Sequence, residues 1–501
     1  MGIKRPSLAE LEKLAQKSGL ELNTSELEVL QHVMHGTMNS YDRIDQLKVP
    51  VPSYNQRQKG YRPSGEENRW NAWYWKTSIK EREEGKLENK KIALKDNVNL
   101  AQIPMMNGSA LLEDYIADED ATLVTRILAA GGEITGKAVC ENLCLSGASH
   151  TAATGPVLNP HDPTRTSGGS SSGSAVLVAA GEVDMAIGGD QGGSIRIPSA
   201  WCGVYGLKPT HGLVPYTGIF PIEQTLDHAG PIARNTEDVA LLLEVIAGPD
   251  GFDPRQSGLQ PKAYTKALIG HAHGLNIGIV REGFGWENLS EPDVDQLVRE
   301  ASFRLRKAGA DVGEFSLPYH REGVHIWNAI AIEGTTSLMI NGNGMGTNWK
   351  GRYNPKLAEH YGKARKSRVN DYSETVKMLL LLGTYLQEHY HGHYYAKARN
   401  LANQLKLAYD QALEQFDVLL MPTVPMKATK IPAPSASKEE YISRALEMIP
   451  NTAPFNVTGH PAMSVPCGFS DGLPVGMMII GRMGQDDVVL RVAHAFQSIH
   501  S

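Results

Sequence analysis

The chain has 501 residues, of which 41% are hydrophobic and 21% charged, so it can bury a large core and is not disordered throughout. Its net charge of −6 excludes the basic surface that binds nucleic acid or an anionic membrane. Four scattered cysteines exclude a disulfide scaffold and disfavour a zinc site. No apolar run approaches the ~20 residues of a membrane span, and no secretory leader is evident, so we expect a cytoplasmic protein.

The first part of the chain, residues 1–70, is predicted to be an appended helical domain. Apolar residues recur there at helical spacing, in the sets Leu8, Leu11, Leu14 and Leu27, Leu30, Val33. Residues 67–84, which overlap the end of this domain, carry three tryptophans and are predicted to form a long helix on the main body.

From residue 90 onward, short apolar runs alternate with helical stretches. The predicted strands span 91–94, 132–135, 184–188, 275–280 and 417–421, and the clearest helices span 121–130, 292–308 and 488–498. Such alternation over 400 residues predicts an α/β domain at 71–501, with a mixed central sheet covered by helices. Within it, residues 320–415 are predicted to form a helical lid over the substrate pocket.

The segment between Gly168 and Gly203 is unusually rich in glycine, which supplies 9 of its 36 residues. Apolar runs at 175–180 and 185–187 adjoin these glycines, which disfavours a flexible linker. Glycines embedded in a core mark turns or a close approach of the backbone to a ligand. This segment is therefore the first place to look for a functional site.

Two familiar motifs fit the glycine-rich regions poorly. Residues 131–138 resemble a phosphate loop but are one residue short, and Ala138 stands where a hydroxyl would hold Mg²⁺. The sequence Gly-Ser-Ser-Ser-Gly fits the nucleophile elbow of an α/β-hydrolase-type esterase, with Ser171 at its centre. Asp227 and His494 are the available partners for that serine, and neither lies in a motif.

A third interpretation uses two serines and a lysine. Ser170 and Ser194 each follow a pair of glycines, and Lys95 closes an apolar run 75 residues before Ser170. Acyl transfer from an amide needs a nucleophile, a base and donors for the oxyanion. A lysine kept uncharged by burial can be that base.

The residues around the second serine fit the same chemistry. Successive glycines allow the backbone N–H groups of Gln191, Gly192 and Gly193 to turn toward one point and hold an oxyanion. Asp190 and Arg196 flank this loop and are predicted to brace it as structural partners.

A histidine-rich tract at 388–393 offers a weaker alternative. His389 and His393 would share one face of a helix, as metal ligands do. Because the tract lacks the spacing of a known zinc motif, we predict a pocket wall or an ordinary helix, with no metal and no other cofactor.

Taken together, these segments resemble the amidase signature family. The matching segments are 93–97 (ALKDN), 168–175 (GGSSSGSA), 188–198 (GGDQGGSIRIP), 202–210 (CGVYGLKPT), 417–423 (DVLLMPT) and 459–468 (GHPAMSVPCG). The resemblance implies a Ser–cis-Ser–Lys triad, with Ser194 as nucleophile and acyl carrier, Ser170 as bridging serine and Lys95 as base. It also implies a cis bond between Gly169 and Ser170, and oxyanion donors in the N–H groups of Gln191 to Ser194.

Within that family, the chain resembles most the bacterial acylamide amidases associated with nitrile degradation. Gln191 stands where many members have threonine or isoleucine. Members of this branch have an N-terminal helical domain and commonly dimerise through it, so the resemblance implies a homodimer acting on a small-molecule amide. An aryl-anilide amidase, a peptide amidase and an A-type amidotransferase component remain open alternatives.

Overall fold

The computed structural model describes residues 3–50, 52, 54–256 and 258–500 and divides into two compact units, Met1–Tyr54 and Asn55–Ser501. The first unit contains two helices, α1 (Leu8–Lys17) and α2 (Thr24–Gln46). Each begins with a capping box, in which the N-cap side chain and a glutamate three residues later satisfy each other's backbone N–H groups. The unit has a small apolar core of Leu11, Ala15 and Leu27.

The second unit begins earlier than the boundary predicted at residue 70. Residues after Tyr54 are tied to it by hydrogen bonds, since Tyr61 pairs with Lys76 and the Trp75 indole N–H donates to the Lys59 carbonyl. The helix predicted at 67–84 is wrong, because a strand occupies much of that range. The strand is rich in aromatic and β-branched residues, which pack well on the pleated surface of a sheet.

Within the described residues, one mixed sheet of eleven strands forms the centre of the second unit. The strands are β1 Trp73–Ile79, β2 Lys91–Lys95, β3 Glu133–Ala138, β4 Met185–Asp190, β5 Tyr205–Lys208, β6 His228–Ala233, β7 Asn276–Val280, β8 Asp311–Phe315, β9 Val418–Pro422, β10 Ala462–Ser470 and β11 Leu473–Gly481. Their order is β1-β3-β2-β4-β6-β5-β10-β11-β9-β7-β8. The predicted mixed α/β sheet is confirmed, and each predicted strand lies within two or three residues of an observed one.

Helices cover this sheet. They are α3 Thr122–Ala129, α4 Ser172–Ala179, α5 Arg196–Cys202, α6 Thr236–Ile246, α7 Pro292–Arg304, α8 Gly323–Thr335, α9 Pro355–Ser367, α10 Glu374–Tyr390, α11 His393–Gln415, α12 Lys438–Leu446, α13 Pro454–Thr458 and α14 Asp486–His500. The region 320–415 is mostly helical, as predicted, and none of the described helices is long and apolar enough to cross a bilayer.

The topology brings two functional segments to one edge of the sheet. Strand β2 lies between β3 and β4 and is parallel to both. Because parallel strands end at the same edge, the ends of β2 and β4 are neighbours, and Lys95 Nζ lies 3.1 Å from the carbonyl oxygen of Gly189 near the end of β4. The glycine-rich residues beyond β4, together with 166–178, are buried throughout, so the segment belongs to the core and is no linker.

Candidate active site

The side chains of Lys95 and Ser170 meet in the interior. Lys95 Nζ lies 2.7 Å from Ser170 Oγ and 3.1 Å from the carbonyl oxygen of Gly189, and both side chains are fully buried. The peptide bond between Gly169 and Ser170 is cis. None of the ion pairs among the described residues involves Lys95; the neighbouring Asp96 is instead paired with Lys137. The lysine therefore faces a hydroxyl and a carbonyl rather than a carboxylate.

The two candidate nucleophiles, Ser194 and Ser171, have different surroundings. Ser194 lines a cavity, and its carbonyl accepts a hydrogen bond from the Ser171 amide at 3.2 Å. Ser171 is fully buried, and its hydroxyl both donates to the Gly189 carbonyl and accepts from the Gly189 amide, each at 3.1 Å. These bonds occupy the hydroxyl that an esterase would need free, and its nominated partner His494 bonds Thr236 instead.

Asp190 and Arg196 form a buried ion pair that closes the loop between them. Arg196 Nε and Nη2 donate to the two carboxylate oxygens at 3.0 and 2.9 Å. The same oxygens accept the amide N–H groups of Gly193 and Ile195 at 2.8 and 3.0 Å. Burial alone would raise the pKa of the carboxyl, but the charge and hydrogen bonds of Arg196 lower it to about 2, so Asp190 is a permanent anion.

The bond to Asp190 changes the set of oxyanion donors that the sequence predicted. The Gly193 N–H points to the Asp190 carboxylate, so it is not one of them. The N–H groups of Gln191, Gly192 and Ser194 stay predicted donors. The physical reason is the turn itself, since a carboxylate at its start captures the amide three residues later.

Both glycines of this turn are required by close packing. A Cβ on Gly192 would lie 2.7 Å from the Trp327 ring, and one on Gly193 would lie 2.3 Å from Thr452 Oγ1. Gly193 also has a φ of 132°, which favours glycine. Trp327 and Thr452 further donate to the carbonyl oxygens of Gln191 and Gly192, each at 2.6 Å. The loop is thus held from both sides.

Gln191 joins the turn to a buried polar cluster. Its Nε2 donates to the Tyr216 hydroxyl at 2.7 Å. Nearby, the Asp227 carboxylate accepts from the Ile222 amide at 3.2 and 3.3 Å. Burial raises the pKa of Asp227 to about 8, although Arg255 opposes this. Asp227 is therefore a neutral acid near pH 7 rather than the anion of a catalytic dyad.

Ser194 opens into a cavity of about 750 Å³, its mouth included. Helices α8 and α10 supply much of the wall, which places residues from the predicted lid region against the site. The wall is mainly apolar, with Leu145, Ile197, Ile222, Leu226, Trp327, Ala331, Ile332, Met378, Leu379, Leu446 and Ile449. Such a cavity suits a ligand with an apolar group.

The structure rearranges the other candidate segments. Residues 131–138 hold strand β3 rather than a phosphate loop, and Lys137 is buried against Asp96. His389 and His393 lie in different helices, because His391 and Gly392 adopt left-handed conformations between α10 and α11. No group of three potential ligands among the described residues is arranged to hold a metal ion.

Several supporting residues have no signal in the sequence. Asn456 donates to the main chain and side chain of Asp190 at 2.9 Å and accepts from Arg196 at 2.8 Å. Thr452, Asn456 and Trp327 lie more than 130 residues from the loop they hold. Only an alignment of related sequences could link such distant positions.

Comparisons with known proteins agree with this geometry. The profile of the Amidase family matches residues 51–490. An enantioselective amidase from Rhodococcus rhodochrous is 48% identical over 436 residues, which cover 86% of this chain and 84% of that protein.

Two solved structures have the same fold. A glutamyl-tRNA(Gln) amidotransferase component from Thermotoga maritima superposes with a TM-score of 0.69 at 32% identity, covering 83% of this chain and 84% of that chain. The native peptide amidase from Stenotrophomonas maltophilia gives 0.68 at 28% identity and covers 83% of both chains. The similarity thus extends over most of the second compact unit.

Proposed function

The chain belongs to the amidase signature family and hydrolyses amide C–N bonds, and we propose that it does so through an acyl-enzyme on Ser194. Lys95 is the base in this proposal, and Ser170 passes the proton between them. The observation that carries it is the buried contact of 2.7 Å between Lys95 Nζ and Ser170 Oγ, beside a serine that lines an apolar cavity.

The first half of the reaction forms the acyl-enzyme. Uncharged Lys95 takes a proton from Ser170, which takes one from Ser194 as the Ser194 oxygen attacks the amide carbon. The proton then returns by the same route to the leaving nitrogen, and the C–N bond breaks to release ammonia or an amine. In the second half, water gives up a proton by the same route and attacks the acyl carbon. The ester bond to the Ser194 oxygen then breaks, Ser194 regains its proton and the carboxylate is released.

The lysine's surroundings support its role. Its two hydrogen-bond partners, Ser170 and the Gly189 carbonyl, are neutral. Among the described residues, no carboxylate competes with Ser170 for this amine.

The turn supports the oxyanion role in the same way. Asp190 and Thr452 hold the backbone from outside, through the Gly193 amide and the Gly192 carbonyl. The amides of Gln191, Gly192 and Ser194 are then pre-oriented before substrate arrives, which is what stabilises the charge of a tetrahedral intermediate.

Replacing the nucleophile tests the proposal. We expect Ser194→Ala to lower kcat to below about one thousandth of the wild-type value, while the exposed Ser435→Ala retains full activity. A fluorophosphonate should label Ser194 in the wild type. Label on Ser171 instead would support the esterase alternative and overturn this assignment.

The apolar wall supports a bulky apolar acyl group as the substrate class. Turnover of benzamide, propionamide and an anilide, with ammonia and aniline measured separately, distinguishes primary amides from anilides. Adding a C-terminal peptide amide tests the peptide-amidase alternative. Failure of the pure protein to release ammonia from any of them would favour a role as one component of an amidotransferase.

For the assembly, we propose a homodimer formed through α2. The helix carries Val29, Val33 and Ile44 on its surface at 62%, 61% and 63% exposure. Apolar residues repeated along one helix at such exposure are typical of an interface. Sedimentation analysis should find a dimer, and a Val29→Glu, Val33→Glu double variant should be monomeric; a monomeric wild type would contradict the proposal.

The compartment in this proposal is the cytoplasm. All four cysteines are unpaired thiols, which suits a reducing environment. Cell fractionation with an antibody against the native protein tests this location.

A further inference from the structure

A thiol in the wall of the cavity interacts with the Lys95 amine and the Ser170 hydroxyl. Cys144 is 5% exposed and lines the same cavity as Ser194 and Gln191. Its sulfur lies 3.2 Å from Asn107 Oδ1. The mechanism proposed above gives this thiol no task.

Cys144 belongs to a cluster of nucleophilic groups. Cys140 Sγ lies 3.4 Å from the same Asn107 oxygen, so the two sulfurs are neighbours. Burial alone would raise the pKa of Cys144, but hydrogen bonding with Cys140 and the positive charge available at Lys95 lower it to about 7, with a further contribution from Ser170. These contacts favour the thiolate of Cys144 over that of an ordinary buried cysteine.

The other three cysteines are in a different situation. Cys140, Cys202 and Cys467 are at most 1% exposed, and burial raises the pKa of each thiol, that of Cys467 to about 12. Since the thiolate is the reactive form of cysteine, Cys144 is the cysteine on which we expect oxidation to occur first.

Gln191, which lines the same cavity as Cys144, has a polar atom that is unpartnered among the described residues. Gln191 is 4% exposed, and within the part of the chain that the structure describes its Oε1 has no hydrogen-bond partner. An oxygen of this kind can accept a hydrogen bond from a small hydroxylic molecule such as a peroxide.

From the position of the thiol in the cavity wall, next to an amine and a hydroxyl, we propose that Cys144 is an oxidation site and that hydrogen peroxide entering the cavity switches the enzyme off. The thiolate sulfur attacks one peroxide oxygen, an S–O bond forms and the O–O bond breaks. The sulfur is oxidised by two electrons to sulfenic acid, and the peroxide is reduced to hydroxide, which takes up a proton as water.

The loss of activity rests on the proposed function, whereas the oxidation itself does not. The Cys144–Lys95 pair has two states that differ in the position of one proton. In the first state the pair is a thiol and an amine, and in the second it is a thiolate and an ammonium. The first state has the base that amide hydrolysis needs, and the second reacts with peroxide. Oxidation adds an oxygen to the cavity wall and leaves a new acidic group beside the lysine, so both acyl binding and proton transfer suffer.

Peroxide treatment of the full chain tests the proposal. The wild type is treated at pH 7.5, trapped with dimedone, mapped by peptide mass spectrometry and assayed on an amide that it turns over. We expect dimedone on Cys144 at least about tenfold faster than on any other cysteine, loss of over 90% of the initial activity, and recovery with dithiothreitol when dimedone is omitted.

Two variants separate oxidation of Cys144 from general damage. Cys144→Ser should keep its own initial activity at least about tenfold longer in peroxide, while the buried Cys467→Ser should be inactivated like the wild type. An unlabelled Cys144 in the folded protein would overturn the proposal, as would full labelling with activity intact. If no amide is turned over, labelling still decides the oxidation, and the proposed function fails separately.

Discussion

The two sides of the cavity are built from different kinds of contact. On the catalytic side, the loop after β4 is held by directional bonds, from the Asp190–Arg196 pair and from side chains that reach its carbonyls. On the opposite side, α8 and α10 present mainly apolar side chains, and Trp327 of α8 belongs to both sides because its indole N–H also donates to the Gln191 carbonyl.

This difference divides chemistry from specificity. Directional bonds to a buried charge fail if one partner is lost, whereas apolar contacts tolerate a change of shape or volume at modest cost. One side therefore fixes which bond is broken, and the other side is free to vary with the acyl group. Each prediction below changes one side and asks whether the other responds.

The largest effect is expected from Asp190→Ala. Removing this carboxylate leaves Arg196 buried without its partner, which costs about 3–5 kcal/mol of unfolding free energy, and it releases the Gly193 and Ile195 amides. Thermal unfolding and steady-state kinetics measure the two losses, and we expect activity to fall as far as in Ser194→Ala.

The matched control removes an exposed ion pair. Glu359→Ala breaks the contact with Lys363, whose side chain is 76% exposed, and should leave the melting temperature nearly unchanged because solvent screens such a pair. Asp190→Asn keeps the size of the side chain and separates charge from shape. A stable, active Asp190→Ala would show that the catalytic side does not depend on this pair.

A smaller and more selective effect is expected on the apolar side. Met378→Ala shortens a side chain of the wall and so enlarges the cavity. The value of kcat/KM for an amide with a bulky apolar acyl group should therefore fall about tenfold, the usual range for a lost apolar contact. Propionamide should be affected less than about twofold, since its acyl group does not reach that wall. Leu381→Ala, on the same helix but 72% exposed, is the control. Equal losses on both amides would place Met378 in the chemistry and weaken the comparison.

The same division explains what the sequence can predict. Lys95, Ser170 and Ser194 stand in short segments with glycines and apolar runs, so local pattern and family resemblance are enough to select them. The contact of Lys95 with Ser170 is implied by the resemblance, but the Gly193–Asp190 bond is not. That bond depends on the conformation of one turn, which composition does not reveal.

The sequence alone predicts neither long-range partners nor the structure of short runs that fit two periods. Asn456 meets Arg196 across 260 residues, and no local pattern connects them. The run Trp73–Ile79, with charged neighbours and tryptophans around it, fits both the helical and the strand period over so short a length. The free side of β3 favours a strand, because antiparallel pairing with it gives hydrogen-bond partners to the backbone N–H and C=O groups of that run.

The last and smallest effect concerns Asp227, which lies where the two sides meet, beside Ile222 of the apolar wall and close to the catalytic loop. Its pKa is about 8 in the folded chain against a usual 3.8, so the folded chain keeps a proton that the unfolded chain loses. Between about pH 4 and pH 8 the unfolding free energy should therefore fall as pH rises.

Asp227→Asn copies the neutral acid and removes this contribution, so its melting temperature should gain on the wild type from pH 5 to pH 8. Asp471→Asn, with a side chain 79% exposed, should follow the wild-type curve. Parallel curves for Asp227→Asn and wild type would mean that Asp227 is ionised in the folded protein, with a charge at the junction of the two sides.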